Sequence, residues 1–146
     1  MKIKIHTDEG LELLKFQKDV RKIFNENEVA PVNANKDMKK YVINFLKKRG
    51  IARPKIWSFG TFTFKNVGMH VDDMSPKSAG TLMFMIKGRG ELSHWDGKEI
   101  HHTHMDQLDA VFFDFNLPHA FESNRICQAL LVDIPKIYKK NLCEYL

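Results

Sequence analysis

A chain of 146 residues is long enough for one domain with a sizeable core, and 43% hydrophobic, 11% aromatic and 28% charged residues exclude a disordered or low-complexity protein. The net charge of +5 is unevenly spread: residues 1–55 carry 14 basic and 7 acidic side chains, residues 56–146 carry 9 and 11. The opening MKIKIHTDEG lacks the apolar run of a signal peptide and no stretch approaches a membrane span, so a cytoplasmic protein that meets no membrane is expected, with Cys127 and Cys143 reduced.

Asp8 to Phe24 reads as a helix. Leu13, Phe16, Val20 and Ile23 recur at helical spacing, and Asp8 and Glu9 suit its positive end. NENEVAPVNAN is a loop by its Asn and Pro content. A second helix runs from Asn35, its cap, to Arg49, with Met38, Tyr41, Val42, Phe45 and Leu46 on one face and Gly50 at its stop. The basic stretch DMKKYVINFLKKRGIARPK is either a solvated face or one that meets nucleic acid or an acidic polypeptide.

After Pro54 the period changes to near-alternation. KIWSFGTFTFKN, TLMFMIK, GELSHW, KEIHH, AVFFDF, HAFES and ICQALLVDI are short runs rich in aromatic and β-branched residues, separated by turn residues. WDGKE is the strongest hairpin signal, because Asp-Gly suits a two-residue primed turn. Seven or eight such strands mean a sandwich or barrel with the helices outside. The expected fold is mainly β with two N-terminal helices: a double-stranded β-helix, that is, a cupin-like jelly roll. Residues 1–54 would form the helical part and residues 55–146 the core of a single domain.

The stretch GMHVDD places His70 and Asp72 two apart, so on a strand they project to one side while Asp73 faces the other. Two ligands hold a metal poorly. His119 in FFDFNLPHAFES, 49 residues on, is the candidate third. Two histidines and a carboxylate on one triangular face leave the opposite face of an octahedral metal open, the arrangement of non-haem Fe(II) oxygenases. The same residues also fit a plain structural role, with both histidines hydrogen-bonded and Asp72 in a turn. His101, His102 and His104 read as exposed residues at a polar strand end. His94 and Trp95 fit either the mouth of the barrel or ordinary sheet packing, and Phe62 and Phe64 either a pocket wall or core.

At these residues the chain resembles the 2-oxoglutarate- and Fe(II)-dependent oxygenases, prolyl and aspartyl/asparaginyl hydroxylases in particular. The resemblance spans Lys55 to Pro135 and rests on the H-x-D at His70 and Asp72, on GRGELSHWDG, on LDAVFFDFNLPHAFES and on RICQALLVDIP. It implies that His70, Asp72 and His119 hold Fe(II), with 2-oxoglutarate and dioxygen as co-substrates. A substrate would be hydroxylated, with succinate and CO2 released. A protein or peptide side chain stands slightly ahead of nucleic acid as that substrate. The resemblance makes Arg125 the anchor for the far carboxylate of 2-oxoglutarate, and a guanidinium pairs well with a carboxylate. Arg125 follows His119 by only 6 residues, closer than the family's spacing, and Cys127 stands where that family commonly has Ser or Thr. A surface turn therefore remains open for Arg125, and Lys87 or Arg89 in MIKGRG is the alternative anchor. The same segment also resembles a cupin core, which implies a metal-binding protein that does not use 2-oxoglutarate: an isomerase, another dioxygenase or a small-molecule sensor. Asp72 then stands where the cupin H-x-H has its second histidine.

Overall fold

The computed structural model describes residues 2–17, 30–32, 35–72 and 76–143. The N-terminal third supplies β1 (Lys2–Ile3), α1 (Thr7–Leu14), β2 (Ala30–Val32) and α2 (Lys36–Lys47). Then follow β3 (Ser58–Phe64), β4 (Val67–His70), β5 (Ala79–Lys87), β6 (Gly90–Trp95) and β7 (Ile100–Met105). The chain continues with β8 (Ala110–Phe113), β9 (His119–Glu122) and β10 (Cys127–Pro135), and a single 3-10 turn leads into α3 (Lys139–Cys143). The strands form two antiparallel sheets, a six-stranded one in the order β1-β8-β5-β10-β3-β2 and a four-stranded one in the order β4-β9-β6-β7. This is the expected jelly roll. None of the described helices is long and apolar enough to cross a membrane.

The six-stranded sheet is covered on both faces, which is why β5 is an almost unbroken apolar run. Its alternation sorts the side chains: Leu82, Phe84 and Ile86 join the core under the helices, while Met83 and Met85 join the core between the two sheets. Met38, Tyr41, Val42, Phe45 and Leu46 of α2 are all buried against the first of these cores. Tyr41 and Phe45 meet Phe84 edge-on, with ring centroids 5.6 and 4.8 Å away. Asn35 caps α2 by accepting the Met38 N–H at 3.0 Å, and Gly50 beyond its end has a φ of 87°, a left-handed conformation that favours glycine.

Two expectations change. The first helix ends at Leu14, well short of Phe24, because the N–H groups of Lys15, Phe16 and Gln17 turn to the carbonyls three residues back and tighten the chain out of the α form. Leu13 and Phe16 are buried as their spacing predicts; Val20 and Ile23 lie outside the described residues. The stretch read as a loop contributes β2, which pairs with β3 at the edge of the sheet, where Pro31 can sit without an N–H to donate inward. The N-terminal third is thus helical but also lends two edge strands to the barrel.

Arg49 closes the helical layer. Its guanidinium donates to both oxygens of Glu9 at 2.8 and 2.9 Å, and also to the carbonyls of Phe45 and Lys4 at 3.0 and 2.8 Å. The group lies 3.5 Å over the Phe45 ring. Part of the basic run is therefore interior. The next residue back, Lys48, pairs on the surface with Asp8 at 3.1 Å.

Candidate metal centre

Strand pairing assembles the site. In antiparallel sheets directly paired residues share a face. His70 of β4 is opposite His119 of β9, His119 is opposite His94 of β6, and His94 is opposite His101 of β7. The four imidazoles therefore form one row across the whole four-stranded sheet, on the face turned into the barrel. His119 and His94 are buried, His101 is half-buried and His70 is exposed at the rim. A bulge brings His70 into the row. Val67 pairs with Phe121 and His70 with His119, so Gly68 and Met69 together face a single partner residue.

The first two rings are set up alike. Nδ1 of His70 lies 2.6 Å from the Gly68 carbonyl oxygen, and Nδ1 of His119 lies 2.8 Å from that of Leu117. A carbonyl only accepts, so each Nδ1 carries a proton, and the neutral tautomer of either ring is the one that ligates through Nε2. The two ring centroids are 4.3 Å apart. His119 Nε2 is buried with no hydrogen-bond partner. Burial, chiefly, holds its pKa below the usual histidine range, so the ring is neutral and available.

His70, Asp72 and His119 line a common cavity of about 290 Å³, otherwise walled by apolar side chains such as Phe62, Phe64, Met83, Phe115 and Leu131. The structure brings the two histidines together, and Asp72 reaches the same cavity from beyond the strand end. Strand β4 ends at His70, so the same-side rule for residues two apart does not extend to Asp72, whose N–H instead donates to the Phe115 carbonyl at 3.3 Å. Asp73 lies outside the described residues. Among the described residues, the set whose ligand atoms all fall within 4.8 Å of one another is Asp96, Glu99 and His101.

The cations expected to anchor a carboxylate stand elsewhere. Arg125 is exposed in the turn between β9 and β10, Arg89 is exposed just before β6, and Lys87 is half-buried at the end of β5. None lines the cavity. Along β9 and β6, Arg125 and Arg89 sit at the ends opposite His119 and His94.

His102 and His104 are exposed as read, held by Ser93 at 2.8 Å and Asp106 at 3.1 Å. His101 is not: β7 alternates, and it turns inward with Thr103 and Met105. His94, read as fitting either the mouth of the barrel or ordinary sheet packing, is buried with Nε2 unpartnered, and burial lowers its pKa to about 4. The hairpin differs from the one read, in which Asp96 and Gly97 as the two loop residues would set Trp95 opposite Lys98 and His94 opposite Glu99. Trp95 pairs with Ile100, with Gly97 at a φ of 99° between them, and that register alone sets His94 opposite His101.

No family model matches the chain and no curated protein matches it. Among solved structures, an RmlC-like cupin protein from Desulfovibrio desulfuricans aligns over 91% of this chain and 97% of its own, at 14% identity and a TM-score of 0.51. A cupin 2 conserved barrel domain protein from Leptotrichia buccalis aligns over 77% of this chain and 43% of its own, at 16% identity and a TM-score of 0.47. A protein described as a predicted oxalate decarboxylase from Thermotoga maritima aligns over 73% and 78%, at 19% identity and a TM-score of 0.44. The likeness to the Desulfovibrio protein is one of fold, and the fold is the cupin-like double-stranded β-helix.

Proposed function

We propose that the chain is a cupin-type, metal-dependent enzyme acting on a small and largely apolar molecule, or on one apolar side chain of a peptide. His70 and His119 would hold the ion through Nε2, with Asp72, which lines the same cavity, as the carboxylate donor. The observation that carries this reading is the buried, partnerless Nε2 of His119, facing His70 over an apolar cavity. A buried lone pair without a donor costs free energy in the metal-free protein, and a ligated ion removes that cost. When bound at such a set, Fe(II) offers open positions to dioxygen and substrate, so oxygenation is the reaction class the donors favour.

The chain's own contribution is legible. The Gly68 and Leu117 carbonyls fix both rings in the ligating tautomer, and the aromatic wall excludes water and accommodates an apolar substrate. Dependence on 2-oxoglutarate is the narrower reading. It would need a buried cation for the distal carboxylate, and Arg125, Arg89 and Lys87 do not line the cavity. The test is anaerobic titration with Fe(II), with and without 2-oxoglutarate. We expect Fe(II) binding that is lost in His119→Ala and in His70→Ala, with no new visible band on adding 2-oxoglutarate. Full binding in both variants overturns the centre. A charge-transfer band that needs both components replaces the apolar-substrate reading with the 2-oxoglutarate one.

A further inference from the structure

The second half of the histidine row faces a different cavity. His94 and His101 line a space of about 530 Å³ together with Asp96, Lys136 and Lys139. Phe113 lines both cavities and stands between the two halves of the row, its ring centroid 5.4 Å from that of His119 and 6.0 Å from that of His94. The two places are therefore chemically separate.

We infer that the β6–β7 hairpin is a second divalent-cation site, formed by Asp96, Glu99 and His101 with His94 as the fourth donor. Three ligand atoms of the hairpin already lie within 4.8 Å of one another. Asp96 is oriented by the loop itself: its Oδ1 accepts the N–H groups of Lys98 and Glu99 at 2.8 and 2.9 Å, and its Oδ2 is left 2.6 Å from His101 Nε2. That short contact is bridged by a proton, and a cation can take the proton's place. Glu99 Oε1 is 3.9 Å from the same nitrogen, on a side chain exposed enough to swing in.

Such a hairpin cluster alone would be an ordinary surface ion pair. His94 makes the difference. It is 8% exposed, lines the same cavity, stacks on His101 with centroids 5.4 Å apart, and its buried Nε2 has no partner. Two neutral imidazoles and two carboxylates balance a dication, and the mixed nitrogen and oxygen donors suit a first-row transition metal such as zinc better than calcium or magnesium, which take oxygen.

The experiment is calorimetric titration of the tag-free full chain with Zn²⁺, with Co²⁺ absorbance as a spectroscopic check on coordination. We expect two equivalents in the wild type. Asp96→Asn keeps the oxygen that holds the loop and should weaken one equivalent at least 10-fold. The His70→Ala/His119→Ala double variant should retain that same equivalent. His94→Phe should weaken it and change the Co²⁺ spectrum. A wild type that binds one equivalent, lost with His70 and His119 and indifferent to Asp96→Asn, overturns the second site and leaves the proposed enzyme standing. One equivalent with the reverse pattern does the opposite. An unchanged affinity and spectrum in His94→Phe also overturns the inference, because the buried imidazole is the reason for assigning a site there.

Discussion

Between α1 and α2, Arg49 and Glu9 are 1% and 3% exposed, and both carboxylate oxygens of Glu9 receive a guanidinium N–H. Across the inner face of the barrel, His119 and His94 are 4% and 8% exposed, and each leaves Nε2 without a partner. Both regions remove polar groups from water, but the buried charge of Glu9 meets the chain's own donors at both oxygens, whereas the two imidazole Nε2 atoms meet none. A closed pair of that kind holds a helix layer in place. An open row of that kind leaves two buried ring nitrogens unused, and on these the proposed metal centres rest.

The comparison breaks hardest at Arg49. Arg49→Met leaves the Glu9 carboxylate buried and unpaired, and is expected to cost about 3–5 kcal/mol in urea unfolding. The double variant Arg49→Met/Glu9→Leu should recover most of that loss, since the uncompensated charge goes with it. A single variant as stable as the wild type would show that the pair is not what joins α1 to α2.

Titration separates the two regions by pH. The folded pKa values of His94 and His119 are depressed, chiefly by burial, so the folded state binds fewer protons than the unfolded one as pH falls through the ordinary value of 6.5. Metal-free protein should therefore lose stability from about pH 6.5 downward, until His94 itself protonates near pH 4. Burial pushes the Glu9 carboxyl up, but hydrogen bonds from Arg49 and the His6 backbone outweigh it and the net shift is downward. Its contribution is present above the ordinary value of 4.5 and lost below it. Unfolding midpoints measured across this range should fall in two stages, and His94→Phe should flatten the upper one only.

The open row is sharpened by filling it with apolar groups. His119→Leu removes a buried unpartnered nitrogen but also the Nδ1 hydrogen bond to the Leu117 carbonyl, so the stability of metal-free protein should change by less than about 1 kcal/mol. The same variant should lose the rise in thermal midpoint that a bound divalent ion gives the wild type. A loss of several kcal/mol, beyond what that one hydrogen bond accounts for, would mean that the imidazole is held for packing and not for a ligand.

How far these regions could be read from sequence depends on the range of the forces that set them. The apolar stripe of α2 and its Asn35 cap are local, and both stand as their spacing predicts. The hairpin at Asp96–Glu99 is local too, but with Asp96 and Gly97 as its two loop residues His94 would have faced Glu99, and the observed pairing of Trp95 with Ile100 is what brings it to His101. The bulge at Gly68–Met69 is not visible in the letters. Strict alternation from Val67 turns Met69 inward and His70 outward, and the extra residue reverses this. Asp72 was placed by extending a strand that in fact stops at His70. Arg49 looked like one more cation at the end of a basic helix, because its partner lies 40 residues earlier.

The smallest expected effect lies one residue from the largest. Lys48 and Asp8 are the chain neighbours of Arg49 and Glu9 and join the same two helices, but their side chains are 49% and 71% exposed. Water and salt screen such a pair, and holding two mobile side chains together offsets much of the attraction. Lys48→Ala should leave the urea midpoint within experimental scatter, and raising the salt concentration should not distinguish it from the wild type. Because the sequence positions, the helices and the charge types match, burial is the variable that differs between the two pairs. A loss in Lys48→Ala comparable to that in Arg49→Met would mean that contact between the helices, and not the closing of a buried charge, is what Arg49 supplies.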